Sequence, residues 1–300
     1  MSKAVIQIKD LKKYFGKVKA VDGISFNVEK GEVFGFLGPN GAGKTTTIRC
    51  MLDFIRPTSG TITILGQDSH TQTIEIKKNM GYLSGEVELY GDMRVAEYLN
   101  YLLELRGEKV GKLSVKYVPY IKRFDLEGSL KRKIRNLSKG NRQKVALIAA
   151  IMTEPDILIL DEPTSGLDPL MQEEFYKVLT EFKKKGATVF MCSHVLSEVE
   201  KICDKAAIIK EGKIVAIEDM ATLHKKGILY ILTETKEKLQ TEVFERLDAV
   251  TRVEKAGDEM KIIVKGEPDK VIKELAKYTV QRIEIRHADL EEIFLEFYNE

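Results

Sequence analysis

Apolar and polar residues alternate over short stretches near the start of the chain, VIQI at 5–8, ISFNV at 24–28 and EVFGF at 32–36. A period of two predicts β-strands. A Gly-rich turn follows at 38–43, then TTTIRCML at 45–52, whose apolar spacing predicts a helix facing a sheet. TITILG at 61–66 predicts another strand, and 92–153 is helix-rich with Pro119 as a break. ILIL at 157–160 is wholly apolar, as expected of a strand covered by helices on both faces. TVFMCSH at 188–194 and KAAIIKEGKIV at 205–215 repeat the strand pattern. Strands alternating with helices predict an α/β fold with a largely parallel core sheet and an inserted helical subdomain at about 90–153.

The pattern changes near Lys225–Gly227, which predicts a first domain over 1–225 and an accessory domain over 226–300. ILYILT at 228–233 predicts a strand. Leu239, Val243, Phe244 and Leu247 share one helical face, and VTRVEK at 250–255 and MKIIVK at 260–265 flank a turn. Val271, Ile272 and Leu275 predict a second helix, VQRIEIR at 280–286 a last strand, and Leu290, Ile293, Phe294 and Phe297 a last amphipathic helix. The order βαββαβ predicts a small α+β, ferredoxin-like domain. An irregular extension packed on the main domain is the alternative.

Composition narrows the function. The 300 residues carry 48 basic and 46 acidic side chains, a net charge of +2, so global charge makes no case for nucleic-acid binding. VALIAAIM at 145–152 is among the longest apolar runs and falls far short of the ~18 residues of a membrane span. No apolar signal core opens the chain, which predicts a cytosolic protein. Cys50, Cys192 and Cys203 have no zinc or redox spacing and read as core residues.

Two motifs carry chemistry. GPNGAGKT at 38–45 fits the phosphate-loop pattern between a strand and a helix. The loop runs through Gly38, Pro39, Asn40, Gly41, Ala42 and Gly43; Gly41 and Gly43 let the backbone turn its N–H groups towards phosphate oxygens, and the helix start, with Thr46 in its first turn, adds its positive end. Lys44 reaches the β- and γ-phosphates, and Thr45 offers a hydroxyl to Mg²⁺. DILILDE at 156–162 ends a buried strand in two carboxylates beside that loop. Asp161 would hold Mg²⁺ and Glu162 would act as general base towards water. The phosphate loop alone leaves kinases and GTPases open.

The ordered set of motifs resembles the ATP-binding subunit of an ABC transporter, over about residues 3–220. LSKGNRQKVALIAAIM at 137–152 resembles the family's signature segment, PTSGLDP at 163–169 the stretch ending in the D-loop Asp168, and SHVLSEVE at 193–200 the switch-histidine segment with His194. LKKYFGKVKAVDGISF at 11–26 resembles the adenine-stacking stretch, with Phe15 as the platform and Tyr14 as runner-up. The resemblance implies ATP and Mg²⁺ bound between two copies of the chain, head to tail, with Ser138 and Gly140 of one copy contacting the γ-phosphate held by the other. It also implies a separate multi-span transmembrane permease, a place on the cytoplasmic face of the cell membrane, and no nucleic-acid partner.

Two departures stand out. Gly85 takes the place of the usual Q-loop glutamine in GYLSGEVELY at 81–90, with Glu86 next to it, and Lys139 and Asn141 replace Gly and Gln in the signature. The ending HADLEEIFLEFYNE resembles the drug- and bacitracin-resistance branch of exporters, which implies export of a drug, antibiotic or amphipathic peptide. The basic run KRKIR at 131–135 reads as a solvated helical face, with anionic lipid headgroups or a membrane partner as the alternative. A soluble ABC-type ATPase of translation or DNA repair is the alternative. Such proteins usually carry a second cassette, zinc modules or coiled-coil insertions, and none of these is seen here. A third reading makes the protein a regulatory module in which ATP only switches shape.

Overall fold

The computed structural model describes residues 4–111, 113–221, 228–257 and 259–287. They divide into two compact units, one ending at Ile217 and one beginning at Glu218. The division precedes the expected boundary at 225.

The first unit contains two sheets. Strands β1 (Ala4–Phe15) and β2 (Val18–Glu29) pair antiparallel, β4 (Ser59–Ile64) lies on the other edge of β1, and the two-residue β5 (Gln67–Asp68) follows it. The second sheet has the order β10 (Lys213–Asp219), β9 (Lys205–Lys210), β3 (Val33–Leu37), β8 (Thr188–Ser193), β7 (Ile157–Asp161), β6 (Met80–Leu83). From β9 to β6 all neighbours are parallel. β3, β7 and β8 are buried at every position, which is why their sequences show no alternation. β6 was not foreseen, because four residues containing a glycine are too few to display a period.

The two sheets share one core. Phe26 of β2 stacks on Phe34 and Phe190 of the parallel sheet with ring centroids 5.3 and 5.9 Å apart. Each such pair contributes roughly 0.5–1.5 kcal/mol beyond the area it buries.

Helix α1 (Lys44–Met51) follows β3, and α2 (Thr73–Lys78) precedes β6. The segment 90–153 holds α3 (Val95–Leu105), α4 (Val118–Arg123) and α5 (Lys139–Ile151). Pro119 begins α4 rather than breaking a helix, since the first turn has no intrahelical use for its missing N–H. Helices α6 (Pro169–Lys184) and α7 (Leu196–Ile202) flank β8 in the chain. Arg123 of α4 bridges to α6, with Nε 2.6 Å from Glu174 and a two-pronged contact to Glu181 at 2.7 and 3.0 Å. No described helix is long and apolar enough to cross a membrane.

The second unit runs β11 (Ile228–Thr235), α8 (Thr241–Glu245), β12 (Val250–Ala256), β13 (Glu259–Lys265), α9 (Asp269–Leu275) and β14 (Val280–His287). Its strands lie in the order β12-β13-β11-β14, every neighbouring pair antiparallel. Ile231, Ile262 and Val264 of the sheet pack with Phe244 of α8 and with Val271 and Leu275 of α9. α8 is a single turn, so Leu239 and Leu247 join this core from outside it. Ile272 is exposed rather than in the core, because Val271 and Leu275, four residues apart, define the buried stripe. The last helix expected from Leu290, Ile293, Phe294 and Phe297 lies outside the described residues.

Candidate active site

The phosphate loop joins the end of β3 to the start of α1. Its glycines answer to distinct constraints. A side chain on Gly38 would place Cβ 2.3 Å from the carbonyl oxygen of Ile209, and Gly43 combines a φ of 112° with a Cβ position 2.4 Å from the carbonyl oxygen of Ala20. Only glycine fits either place. Gly43 also caps α1, so the free N–H groups of the first turn open towards the loop.

Lys44 is 6% exposed. Its Nζ donates to the carbonyls of Gly38 at 2.6 Å and Pro39 at 3.2 Å and lies 3.7 Å from Oε1 of Glu162. Thr45 donates its hydroxyl to Oδ2 of Asp161 at 2.9 Å. Asp161, at the end of β7, is 2% exposed, and its Oδ1 is buried without a hydrogen-bond partner. Burial pushes its carboxyl above the ordinary range, the Thr45 hydrogen bond pulls it back, and neighbouring Glu162 raises it again. A buried, partnerless carboxylate oxygen next to a threonine hydroxyl is a hard-oxygen pair that suits Mg²⁺.

Glu162 turns the chain out of β7 with a φ of 48°. A non-glycine residue in this region is strained and needs its surroundings to hold it. Its N–H donates to the carbonyl of Cys192 at 3.0 Å, and its Oε2 lies 2.7 Å from Nδ1 of His194. A carboxylate only accepts, so Nδ1 carries the hydrogen. His194 follows β8 and has a side chain 53% exposed. Parallel β7 and β8 thus deliver Asp161, Glu162 and His194 to one edge of the sheet, beside the loop that ends β3.

The structure brings together Gly38–Thr45, Asp161, Glu162 and His194. It leaves Ser138, Gly140, Asp168 and Phe15 outside this cluster: among the described residues, no hydrogen bond or ion pair joins them to the phosphate loop. Ser138 caps α5 by accepting from the N–H of Asn141, and Asp168 caps α6 by accepting from the N–H of Met171. Gly140 rests on the D-loop, where a Cβ would meet the carbonyl oxygen of Gly166 at 2.7 Å. Phe15, 50% exposed at the end of β1, has Lys13 Nζ 4.9 Å from its ring centroid. Tyr14 instead ties its hydroxyl to Asp22 at 2.5 Å.

Gly85 stands against the Asp161 carboxylate, with a Cβ position 3.4 Å from its Cγ and Oδ2. Glu86 does not join it there. It lines a groove of about 660 Å³ together with Arg49, Tyr82, Leu89, Tyr98 and Arg106. Two polar residues that the sequence did not single out hold the 163–168 loop. Gln143 donates to the carbonyl of Pro163 at 2.9 Å, and Glu198 accepts from the hydroxyl of Thr164. The sequence signal for Glu198 is its place four residues after His194 in SHVLSEVE.

Residues 21–165 match the family model described as "ABC transporter". An ABC transporter ATP-binding protein of Methanocaldococcus jannaschii is 38% identical over 221 residues, 73% of this chain and 80% of the relative. The chain belongs to the ABC transporter ATP-binding proteins. The bacitracin transport ATP-binding protein of Bacillus licheniformis is 35% identical over 228 residues, 76% of this ABC subunit and 74% of that one. A solved structure of the ATP binding subunit of an ABC transporter superposes with a TM-score of 0.68 at 28% identity, covering 74% of this chain and 92% of the other. The fold is therefore the mixed α/β fold of the ABC ATPases, and the protein is an ATPase that binds ATP.

Proposed function

We propose that this ABC ATPase powers export through a separate membrane-embedded permease, working as a head-to-tail pair at the cytoplasmic face of the membrane. In this reading each ATP lies between the phosphate loop of one copy and the signature of the other. One observation carries it. Lys44, Thr45, Asp161, Glu162 and His194 converge, while Ser138, Gly140 and Asp168 of the same chain are spent on helix caps and on the D-loop, away from that cluster.

The phosphate-loop amides and Lys44 grip the β- and γ-phosphates, the lysine exchanging the Gly38 and Pro39 carbonyls for phosphate oxygens. Phe15 offers the exposed ring on which adenine stacks. Thr45 and Asp161 would hold Mg²⁺, which would supply positive charge to the phosphate oxygens. Glu162 takes the proton from the attacking water, and His194, oriented through Nδ1, contacts the γ-phosphate. The γ-phosphate gives the closed pair its extra affinity, so hydrolysis reopens it. The groove beside Gly85–Tyr90 is the face offered to the permease, and the bacitracin relative favours export of an antibiotic or amphipathic cargo.

The test is purification of the tagged chain from its native membrane in mild detergent. A multi-span protein that co-purifies and raises ATP turnover is expected. Undiminished turnover by a strictly monomeric particle in light scattering refutes the paired site.

A further inference from the structure

Glu198 of α7 is a carboxylate 7% exposed. Its partners among the described residues are hydroxyls. Thr164 donates to Oε1 and Ser193 donates to Oε2 at 2.9 Å, and the phenol of Tyr176 lies against the same group. Lys201, the lysine of the same helix, pairs with Glu173 instead. Among the described residues no ion pair joins this carboxyl, and an apolar side chain of similar size would need no partners at such a place. What a carboxylate adds is two accepting oxygens at once, a fork that ties two donors at a fixed spacing.

The two donors sit on the segments that present the reacting side chains. Thr164 comes two residues after Glu162, and Ser193 immediately precedes His194. In front of the fork, Glu162 and His194 touch at 2.7 Å, and the N–H of Glu162 is held by Cys192. Glu162 keeps a strained backbone that does not hold itself. From the other side, Gln143 fixes Pro163. The ends of β7 and β8 are thus locked together in front by the reacting pair and behind by Glu198.

We propose that Glu198 is a positioning residue for hydrolysis, setting the spacing of Glu162 and His194 by bridging Thr164 and Ser193 without touching the nucleotide. The proposal rests on the roles given to Glu162 and His194 above. It separates chemistry from binding, because among the described residues no side-chain hydrogen bond or ion pair joins the phosphate loop or Lys44 to Glu198, Thr164 or Ser193.

The experiment uses the full chain with Glu198→Gln, Thr164→Val, Ser193→Ala and the double variant Glu198→Gln/Thr164→Val. It reads kcat and KM for ATP, the Kd of a fluorescent ATP analogue, and Tm. Glu198→Gln retains one accepting oxygen. Its kcat is expected to fall about tenfold, as sub-ångström misplacement of reacting groups does, with Kd changed less than about twofold. Thr164→Val should lower kcat in the same way, and the double variant should lose little more than either single one, because both break one bridge. An unchanged kcat in Glu198→Gln, a Kd that rises as far as kcat falls, or fully additive losses overturn the proposal. Should Glu198→Gln fail to fold, Thr164→Val and Ser193→Ala test each arm of the fork separately, and normal kcat in both overturns it. Glu162→Gln serves as the control. If that variant turns over normally, the general-base assignment and the proposal fall together; if it is inactive while Glu198→Gln is normal, only the proposal falls.

Discussion

Replacing Glu162 with glutamine changes one oxygen for an amide nitrogen and leaves side-chain length untouched, so the φ of 48° and the hydrogen bond to Cys192 are expected to persist. What is lost is proton acceptance. General-base catalysis contributes about 10²–10⁴-fold, which is about 3–5 kcal/mol of barrier. The structure places the loss in the upper half of that range. The other carboxylate, Asp161, has Oδ2 engaged by Thr45 and its remaining oxygen buried, so it cannot take over as base. Binding moves the other way. Oε1 of Glu162 lies 3.7 Å from Lys44 Nζ and competes with phosphate for that cation, so removing its charge should leave ATP affinity unchanged or tighter. Single-turnover phosphate release measures the chemistry, and size-exclusion chromatography with ATP should show a stalled pair. Release within about threefold of the unaltered protein would refute both the base assignment and the argument from Asp161's engagement.

Lys44→Ala removes the buried cation of the phosphate loop and should weaken ATP binding by at least about tenfold; an unchanged Kd in equilibrium dialysis contradicts its phosphate role. Asp161→Asn keeps an acceptor for Thr45 but relieves a carboxylate whose folded-state pKa is raised by burial. That cost is present above the folded pKa and fades as pH falls towards the ordinary value of 3.8. Nucleotide-free Asp161→Asn should therefore melt higher than the unaltered protein at pH 7, by a margin that vanishes in acid, while its Mg²⁺ requirement for turnover rises. Arg123→Ala breaks the tie between α4 and α6, worth about 1 kcal/mol after solvent screening. Arg123 holds the carboxyls of Glu174 and Glu181 below their ordinary 4.5, so this contribution is full above pH 4.5 and lost as pH falls through their folded-state values. Urea denaturation of the two proteins at pH 7 and pH 3.5 should show the difference shrinking.

Legibility in the sequence followed how local each signal was. The loop GPNGAGKT and the run ILILDE declared themselves, because glycines with imposed backbone geometry and a strand buried on both faces leave few alternative residue types. β6 and the single turn of α8 were too short to show a period. Pro119 was misread because a proline starts helices as readily as it ends them. Long-range polar contacts were illegible. Gln143 meets Pro163 across 20 positions and Glu198 meets Thr164 across 34, and nothing in spacing or composition pairs them. That Gly85 would stand against Asp161 likewise required the fold, since it depends on β6 lying beside β7.

Residue 85 has a consequence for how such a subunit diversifies. With only hydrogen facing the Asp161 carboxylate, residue 85 contributes main chain alone between that carboxylate and the groove, whose lining resumes on either side of it with Ser84 and Glu86. Any side chain placed at residue 85 would stand directly between the Asp161 carboxylate and the groove, so this one position would couple the two.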